Sequence, residues 1–418
     1  MVSNLPVQAD RIACDINDLA AITETDRPWT RRVFTPLYLE GRSYVEKRML
    51  AAGLETRIDA AGNLIGFRKG LAKKGVIMLG SHTDTVPNGG RFDGVAGVVA
   101  ALEVARSLHD NNIELQHDLE IVDFLAEEVS PFGVSCIGSR GMTGQLPKSW
   151  LDRVNAGRTL HEELGGVGGN GDIVLGQRRA DIKAFLELHI EQGPVLEDER
   201  KDIGLVTTIV GISRFEIIIE GRADHAGTTP MTKRADALVA AAKLTLEIRQ
   251  RATEISTEGG HFTATVGEFS IEPNAANVVP SSARLLIDAR AELRADMDRF
   301  TAWLDLLCAQ LSRDYAVSIP AVNRVSDNDP APSDLMVLEH LERACGTVGA
   351  THRRIASGAG HDAAWLSKVT PTAMIFVPSK DGRSHTPDEW TSIGEITLGA
   401  AVLYEAVLSL DETLSNKQ

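Results

Sequence analysis

Two side chains that can bind or support a metal follow a short apolar segment. Residues 76–80 are apolar and end in glycine, which is typical of a buried parallel strand, and ligands of such sheets gather beyond the carboxyl ends of the strands. His82 and Asp84 come directly after it. Because residues i and i+2 of an extended segment face the same way, we expect Asp84 to accept the second ring N–H of His82 and to leave the other nitrogen free for a metal.

A third candidate ligand, Asp93, follows in a glycine-rich turn and opens a helical pattern of apolar residues. A carboxylate has two oxygens, so it can bridge two cations. Taken alone, His82 also fits a hydrogen-bonded core histidine and Asp93 a simple helix cap, because short motifs often match by accident.

Further polar residues follow other apolar segments. Residues 118–125 read as a strand that ends at Glu127 and Glu128, and adjacent carboxylates in extended chain face opposite sides, so one can bind a metal while the other faces a reacting water. A solvated acidic pair is the alternative. Residues 184–194 form a strand that carries His189 and Gln192, and His385 follows the strand at 372–377.

These segments match a known family in order. Gly-Ser-His-Thr-Asp-Thr, Gly-Gly-Arg-Phe-Asp-Gly-Val and Glu-Leu-His-Ile-Glu-Gln-Gly-Pro resemble the M20 metallopeptidase superfamily in its hydantoinase/carbamoylase branch. That branch contains N-carbamoyl-L-amino-acid hydrolases, allantoate amidohydrolases and β-ureidopropionases. The matching motifs run from about residue 30 to about residue 390.

The resemblance implies a centre of two divalent metal ions, zinc or manganese. His82 and His189 would hold one ion, Glu128 and His385 the other, and Asp93 would bridge them. These ligands are nitrogen and oxygen donors without a thiolate, which suits either metal. Glu127 would take a proton from the shared water and return it to the leaving nitrogen.

The resemblance also implies substrate contacts from Gln192, Asn277, Arg290 and Gly360. His225, which in dimeric relatives reaches into the neighbouring subunit, would contact the substrate and stabilise the oxyanion. An arginine suits a substrate carboxylate because its planar fork can donate two parallel hydrogen bonds. Without the family context, His225 fits a surface-loop histidine and Arg290 a charge at the end of a strand.

One loop departs from the family pattern. Where relatives continue after the glutamate pair with Gly, a variable residue, Arg and Phe, this chain has Val129-Ser-Pro131-Phe132. We expect this difference to bear on substrate choice rather than on the metal chemistry. We therefore expect hydrolysis of an N-carbamoyl-L-amino acid to amino acid, ammonia and carbon dioxide, with allantoate or another N-acyl amino acid as alternative substrates. A metal-binding homologue without catalysis is a more remote alternative, which the presence of Glu127 beside the ligands disfavours.

Composition narrows the function classes. The 418 residues carry a net charge of −15 and a sequence pI of about 5.2, which argues against nucleic acid and anionic membranes as partners and favours a small-molecule substrate. The four cysteines have no CxxC spacing, so we expect reduced and partly buried thiols. Charges interrupt the first 21 residues, and no apolar run is expected to span a membrane, so the predicted location is cytoplasmic.

The pattern of elements predicts an α/β fold with two domains. A three-layer catalytic domain with a central mixed β-sheet would comprise residues 1–210 and 325–418. A β-α-β-β-α-β pattern over residues 211–324 fits a smaller ferredoxin-like α+β domain, inserted as a lid and dimerisation domain of a homodimer. Residues 164–171 read as a flexible surface loop, and residues 327–333 as a linker.

Overall fold

The computed structural model describes residues 5–416, which form two compact units. Unit 1 comprises residues 5–207, 332–355 and 361–416, and unit 2 comprises residues 208–331 and 356–360. The α-helices are α1 Ala9–Ala21, α2 Pro36–Ala51, α3 Val95–Asp110, α4 Ile137–Thr143, α5 Lys148–Leu151, α6 Leu160–Gly166, α7 Val195–Glu199, α8 Ala237–Thr257, α9 Arg294–Asp314, α10 Leu335–Val348, α11 Ala363–Leu366 and α12 Ile393–Asn416. The strands are β1 Glu55–Ile58, β2 Leu64–Arg68, β3 Val76–His82, β4 Asp118–Phe124, β5 Val154–Asn155, β6 Arg158–Thr159, β7 Ile182–Ile190, β8 Ile203–Ile209, β9 Gly211–Glu220, β10 Phe262–Glu272, β11 Ser282–Ala291, β12 Asn323–Asp327, β13 Ala331–Pro332, β14 His352–Ser357 and β15 Thr372–Val377.

A nine-stranded mixed sheet runs through unit 1. Its order is β1-β2-β4-β3-β7-β15-β8-β13, with β14 paired to β8. The four central strands β4, β3, β7 and β15 are parallel, whereas β2 and β8 join them antiparallel. The predicted α/β class with a central mixed sheet is confirmed.

Helices cover both faces of this sheet. On one face, α3 and α12 pack on each other and on the central strands, where Ile77, Leu79, Leu186 and Leu188 are fully buried. Gly97 lets α3 approach the sheet closely, because a Cβ there would lie 2.2 Å from the carbonyl oxygen of Leu188. On the other face, α4 and α11 pack on each other and on β4, β7 and β15. This is the predicted three-layer arrangement.

Unit 2 contains a four-stranded antiparallel sheet in the order β10-β11-β9-β12. Helices α8 and α9 pack against it and bury the alternate residues Phe215, Ile217 and Ile219 of β9 and Ile287 of β11. With one helix after β9 and one after β11, the element order and strand order are those of a ferredoxin-like layer.

Two segments differ from the expected loops. Residues 164–166 belong to α6 rather than to a surface loop, because a reciprocal cap between Thr159 and Glu162 starts the helix and buried Leu160 and Leu164 hold it. The expected linker at 327–333 contains the end of β12 and all of β13, since β12 forms ladder hydrogen bonds with β9 that its polar sequence did not reveal.

The expectation that no apolar run reaches membrane-spanning length was wrong for α12. Among the described residues it is the one helix long and apolar enough to span a membrane, with a mean hydropathy of 1.5. Most of that stretch is buried among α3, α10 and the sheet, as in a core helix. All four cysteines are free thiols; Cys136, Cys308 and Cys345 are buried and Cys14 is exposed.

Candidate metal centre

The candidate ligands meet where the parallel strands of unit 1 end. His82 is the last residue of β3, and His189 is the penultimate residue of β7. Glu127 and Glu128 follow β4, and His385 follows β15. Because the carboxyl ends of parallel strands lie at one edge of a sheet, residues far apart in the sequence come together there.

Their atoms form two clusters that share Asp93. In the first, Asp93 Oδ1 lies 3.1 Å from His189 Nε2 and 3.7 Å from His82 Nε2. In the second, His385 Nε2 lies 3.1 Å from both Asp93 Oδ2 and Glu128 Oε1. Within each cluster the potential ligand atoms all lie within 4.8 Å of one another, so each could close around one ion. Asp93 offers one oxygen to each cluster.

The outer nitrogens of two histidines are fixed by backbone carbonyls. His82 Nδ1 donates to the carbonyl oxygen of Asp84 and His189 Nδ1 to that of Ile190, both at 3.0 Å. A carbonyl only accepts, so Nδ1 carries a hydrogen in both rings and Nε2 is the nitrogen that can bind a cation once it has no proton. His82 Nε2 is buried and has no hydrogen-bond partner among the described residues, and a bound metal ion would give this nitrogen a partner.

Asp84 has a different role from the one expected. Its carbonyl, rather than its carboxylate, accepts the ring N–H of His82, and the nearer carboxylate oxygen is 3.5 Å from that nitrogen. The two carboxylate oxygens instead accept the backbone N–H groups of Glu127 and Glu128, each at 3.2 Å. This is possible because Ala126 turns the chain after β4 with a φ of 53°. Asp84 therefore fixes the glutamate pair as well as His82.

A group that sequence reasoning missed supports Asp93. Glu389 is buried, and its Oε1 accepts the backbone N–H groups of Phe92 at 2.9 Å and Asp93 at 3.0 Å. Ser384 Oγ lies 3.0 Å from Asp93 Oδ2 and 2.8 Å from Glu389 Oε2. The one local signal was Gly90, where a Cβ would lie 1.9 Å from the Glu389 carboxyl carbon.

Gln192 and Gly94 also reach the centre. Gln192 has a φ of 58°, and its Nε2 donates to Asp93 Oδ2 at 2.9 Å, so this predicted substrate contact lies at the second cluster. Gly94 caps α3 with a φ of 64°, and a Cβ there would lie 2.4 Å from the ring of His82. Only glycine fits both that backbone conformation and that space.

Electrostatics in the centre favour added positive charge. Burial opposes ionisation of Asp93, but hydrogen bonds from His189 and His385 outweigh it and hold the pKa of Asp93 well below its usual range. Hydrogen bonds from His385 to Asp93 and Glu128 raise the pKa of His385 to about 11. Burial alone would lower the pKa of His82, yet nearby carboxylates, Glu127 foremost, raise it well above its usual value. Carboxylates that hold protons on histidines this firmly fit a site for divalent cations.

Glu127 lies beside the clusters without belonging to either. Its Oε2 is 3.6 Å from His82 Nε2, and the Cys136 thiol lies 3.7 Å from its Oε1. Burial, together with the negative charges of Glu128 and Asp362, raises the pKa of Glu127 well above its usual value. A carboxyl group in this environment readily accepts and holds a proton.

In unit 2, His225 and Asn277 are neighbours. His225 is exposed, and its Nδ1 accepts the backbone N–H groups of Gly227 at 3.0 Å and Thr228 at 3.2 Å. The Asn277 carbonyl accepts the N–H of Ala226 at 3.0 Å, next to a bridge between His225 and Val278. With Nδ1 occupied as an acceptor, Nε2 of the neutral ring carries the hydrogen.

Arg290 lies at the other end of the same sheet. Its Nε donates to Asp288 at 2.8 Å and its Nη1 to the carbonyl of Gly358 at 2.9 Å. Arg290 pairs in register with Ile212, the closest side chain to a Cβ placed on Gly360. At the other end of β11, Ser282 lies five residues after Asn277 and pairs with Glu220. Eight residue steps along β11 separate Ser282 from Arg290, which is about 26 Å at about 3.3 Å per residue. The structure thus groups Arg290 with Gly360 and His225 with Asn277.

Comparison with known proteins gives the class of this chain. The family model described as Peptidase family M20/M25/M40 matches residues 78–409, so the chain belongs to that family. It is 37% identical to an N-carbamoyl-L-amino-acid amidohydrolase of Paenarthrobacter aurescens, over 97% of this chain and 98% of that protein. A ureidoglycolate hydrolase of Arabidopsis thaliana is 33% identical (98% and 89% covered), and an allantoate amidohydrolase of Bacillus subtilis 34% identical (91% and 92%).

A solved structure agrees with these relatives. A hydantoinase/carbamoylase family amidase from Burkholderia multivorans superposes with a TM-score of 0.88 at 36% identity, covering 96% of this chain and 98% of that one. Within the M20 family, the chain is accordingly an amidohydrolase of the carbamoylase type, a hydrolase acting on C–N bonds. The predicted family membership is confirmed.

Proposed function

We propose that the protein hydrolyses the ureido C–N bond of an N-carbamoyl-L-amino acid to give the amino acid, ammonia and carbon dioxide. The observation that carries this proposal is the pair of ligand clusters sharing Asp93, with the protonatable Glu127 directly beside them. The similarity to an N-carbamoyl-L-amino-acid amidohydrolase over nearly the whole chain favours this ureide over others.

Two divalent cations, zinc or manganese, fit the donor set. His82, His189 and Asp93 would hold one, and Asp93, Glu128 and His385 the other. When bound, such a pair polarises a carbonyl group and lowers the pKa of a shared water.

Glu127 serves as the general base and then as the general acid. Its carboxylate accepts the proton of the attacking water, and burial stabilises the protonated carboxyl until the proton passes to the leaving nitrogen. Asp84 keeps Glu127 and Glu128 in place through their backbone N–H groups, so the base and the ligand move together.

The proposed substrate contacts use hydrogen-bonding groups that have no partner within the described part of the protein. Arg290 uses Nε and one hydrogen of Nη1 within unit 2, which leaves the edge formed by Nη1 and Nη2 for a substrate carboxylate. Gln192 offers its amide oxygen as an acceptor, since its Nε2 already donates to Asp93. Asn277 offers its side-chain amide, and Gly360 leaves space at the Arg290 end of the sheet. His225 Nε2–H donates to the oxyanion that forms on the attacked carbon.

A homodimer would allow one substrate to contact both Arg290 of one subunit and His225 of the other. A small substrate cannot touch both Arg290 and His225 of one subunit when the two ends of β11 lie about 26 Å apart. We therefore propose that His225 and Asn277 act on the neighbouring subunit's substrate, and that the inserted region predicted at residues 211–324 serves as lid and dimerisation domain. A cytoplasmic location and a small ureide or amide partner, rather than nucleic acid or membrane, complete the proposal.

Allantoate and ureidoglycolate are the rival ureides, since relatives named for those activities share about a third of their residues with this chain. The loop after Glu128 would determine which ureide is bound, because Val129 is 57% exposed and directly follows a candidate ligand. Another N-acyl amino acid is the remaining alternative for a chain with this altered loop.

The test is product release by protein loaded with manganese or zinc. Ammonia is measured from several N-carbamoyl-L-amino acids, their D-enantiomers, allantoate and ureidoglycolate side by side, and free amine from N-acetyl-L-amino acids. We expect the highest kcat/KM with an N-carbamoyl-L-amino acid. Turnover of N-acyl substrates alone would refute the carbamoyl assignment, and bound metal without any hydrolysis would indicate a non-catalytic homologue.

A further inference from the structure

A cavity of about 620 Å³ lies in unit 1 beside the segment that carries Asp93. Its lining combines Trp29 and Trp390 with three cations and three carboxylates, which are Arg91, Lys380, Arg383, Asp381, Asp388 and Glu389. The mechanism uses none of the cationic or aromatic members of this group.

Arg91 is held by rings rather than by hydrogen bonds. Its guanidinium carbon lies 5.2 Å from the ring centre of Trp29, 5.0 Å from Phe92 and 4.8 Å from Trp390. Among residues 5–416, this guanidinium forms no side-chain hydrogen bond or ion pair. Contacts with aromatic faces orient the plane of the group and leave its N–H edges available to a ligand.

Cations and carboxylates of the lining are equal in number, but Arg91 and Lys380 form no ion pair within residues 5–416. Lys380 is exposed, whereas Arg383 pairs with Asp388 at 2.7 Å. Glu389 already accepts backbone N–H groups and a hydroxyl. The Asp381 carboxylate has no partner in the described part of the chain, and both it and Glu389, whose charge acts on Arg91, oppose an anion.

We propose that this cavity binds a small organic carboxylate that carries an aromatic or other flat apolar group. The carboxylate contacts the Arg91 fork and Lys380, and the apolar part packs on Trp29 and Trp390. A rigid, half-buried arginine between indoles fits this ligand better than it fits an inorganic anion, which would leave the aromatic walls unused.

The cavity is connected to the candidate metal centre. Glu389 lines it and also fixes the backbone of Phe92 and Asp93, and Phe92 packs edge-on against Trp390 at 5.5 Å. A ligand that fixes Trp390 and Arg91 therefore acts on the segment bearing the shared carboxylate. The proposed effect of the ligand on the Asp93 segment rests on the proposed metal centre, whereas the proposed binding of a carboxylate in the cavity does not.

The test uses ¹⁹F NMR titrations of metal-free protein with 4-fluorobenzoate, its neutral analogue 4-fluorobenzamide, and trifluoroacetate, which has a carboxylate but no ring. We expect 4-fluorobenzoate to bind at least about tenfold more tightly than either analogue, since each lacks one half of the recognition. Equal binding of 4-fluorobenzoate and 4-fluorobenzamide, or of 4-fluorobenzoate and trifluoroacetate, would overturn the proposal.

Variants locate the site. Arg91→Gln and Lys380→Gln should each weaken 4-fluorobenzoate binding, by about tenfold or more for Arg91, and Asp381→Asn should tighten it because a repelling charge is removed. Lys148→Gln, which removes one exposed charge elsewhere, is the matched control. If Arg91→Gln fails to fold, Lys380→Gln and Asp381→Asn still decide: affinities unchanged in both would refute the site, whatever the enzyme's substrate proves to be.

Discussion

The candidate ligands in unit 1 and the candidate substrate contacts in unit 2 differ in how firmly their surroundings hold them. Asp93 is buried and touches His189, His385, Gln192 and Ser384 within 3.1 Å. His225, by contrast, is exposed, and its ring is held only by two backbone N–H groups. The difference suggests that the groups of the centre in unit 1 are positioned before any ligand arrives, whereas in the proposed homodimer the contacts of unit 2 would form only with substrate and the neighbouring subunit.

The first way to test this contrast is to remove the base from the preformed centre. Glu127→Gln should lower kcat by about 10²- to 10⁴-fold, the usual contribution of a general base, because the amide cannot accept the proton. Metal content should stay at the wild-type level, since Glu127 belongs to neither ligand cluster. Elemental analysis and ammonia release measure the two properties. Glu128→Gln is the counterpart: it should lose a cation as well as activity, and equal metal loss in both variants would contradict the assigned roles.

His225 tests the opposite side of the contrast. His225→Ala should lower kcat by about 10²- to 10³-fold, the usual cost of one oxyanion donor, without loss of metal. His161→Ala, which changes another exposed histidine, is the control. If His225 acts across a dimer, mixing the His225→Ala and Glu127→Gln proteins under conditions of subunit exchange should restore activity, because each mixed dimer contains one complete site. No gain on mixing, with exchange verified, would place His225 in its own subunit's site.

Metal affinity should depend steeply on pH because of the charges in unit 1. Hydrogen bonds to carboxylates raise the pKa of His385 to about 11, and nearby carboxylates raise the pKa of His82 well above its usual value, so protons compete with a cation for these rings; the pKa of His189 is raised as well. A cation must displace those protons, and affinity should rise with pH by about tenfold per unit for each proton released. Calorimetry of zinc binding in buffers of different ionisation enthalpy counts the protons. Absence of release between about pH 6 and pH 8 would show that the rings are already neutral.

The sequence predicts those site residues of unit 1 that lie in or directly after a strand with a clear local pattern. His82, Glu127, Glu128 and His189 follow or end apolar strands, so local pattern and family motifs predicted both the strands and the residues that meet at their ends. The support of Asp93 by Glu389 could not be predicted in this way, because the two residues are 296 positions apart and belong to different elements.

Backbone conformation was the other hidden feature. Ala126, Gln192 and His385 all have positive φ values, between 53° and 58°, which a non-glycine residue rarely adopts and which no residue type announces. They are stable there because hydrogen bonds and packing fix the turns, as strained residues near functional sites often are. Because the chain turns at Ala126, the Asp84 carboxylate accepts two backbone N–H groups instead of the ring N–H of His82.

Alanine substitutions at Gly94 in unit 1 and Gly360 in unit 2 should have smaller effects, which differ between the two units. Gly94→Ala should weaken metal binding by about 10- to 100-fold, because the new methyl group meets the His82 ring and the positive φ adds about 1 to 3 kcal/mol of strain. Gly360→Ala in unit 2 meets only Ile212 at 3.8 Å, so metal affinity should not change and only KM should rise. Chelator competition and steady-state kinetics measure both. Equal metal affinities for the two variants would contradict the preformed centre.

The smallest expected effect concerns how unit 2 grips the substrate. Arg290→Lys keeps the charge but loses the planar fork, so KM should rise by about tenfold while kcat changes little. Arg214→Lys is a matched control, because Arg214 contacts the other oxygen of the same Asp288 carboxylate and lies on the same sheet. Replacement of the substrate carboxylate by an amide should cost the wild type more than it costs Arg290→Lys. Equal losses in the two proteins would mean that the carboxylate is bound elsewhere, which leaves Arg290 a structural partner of Asp288 and Gly358.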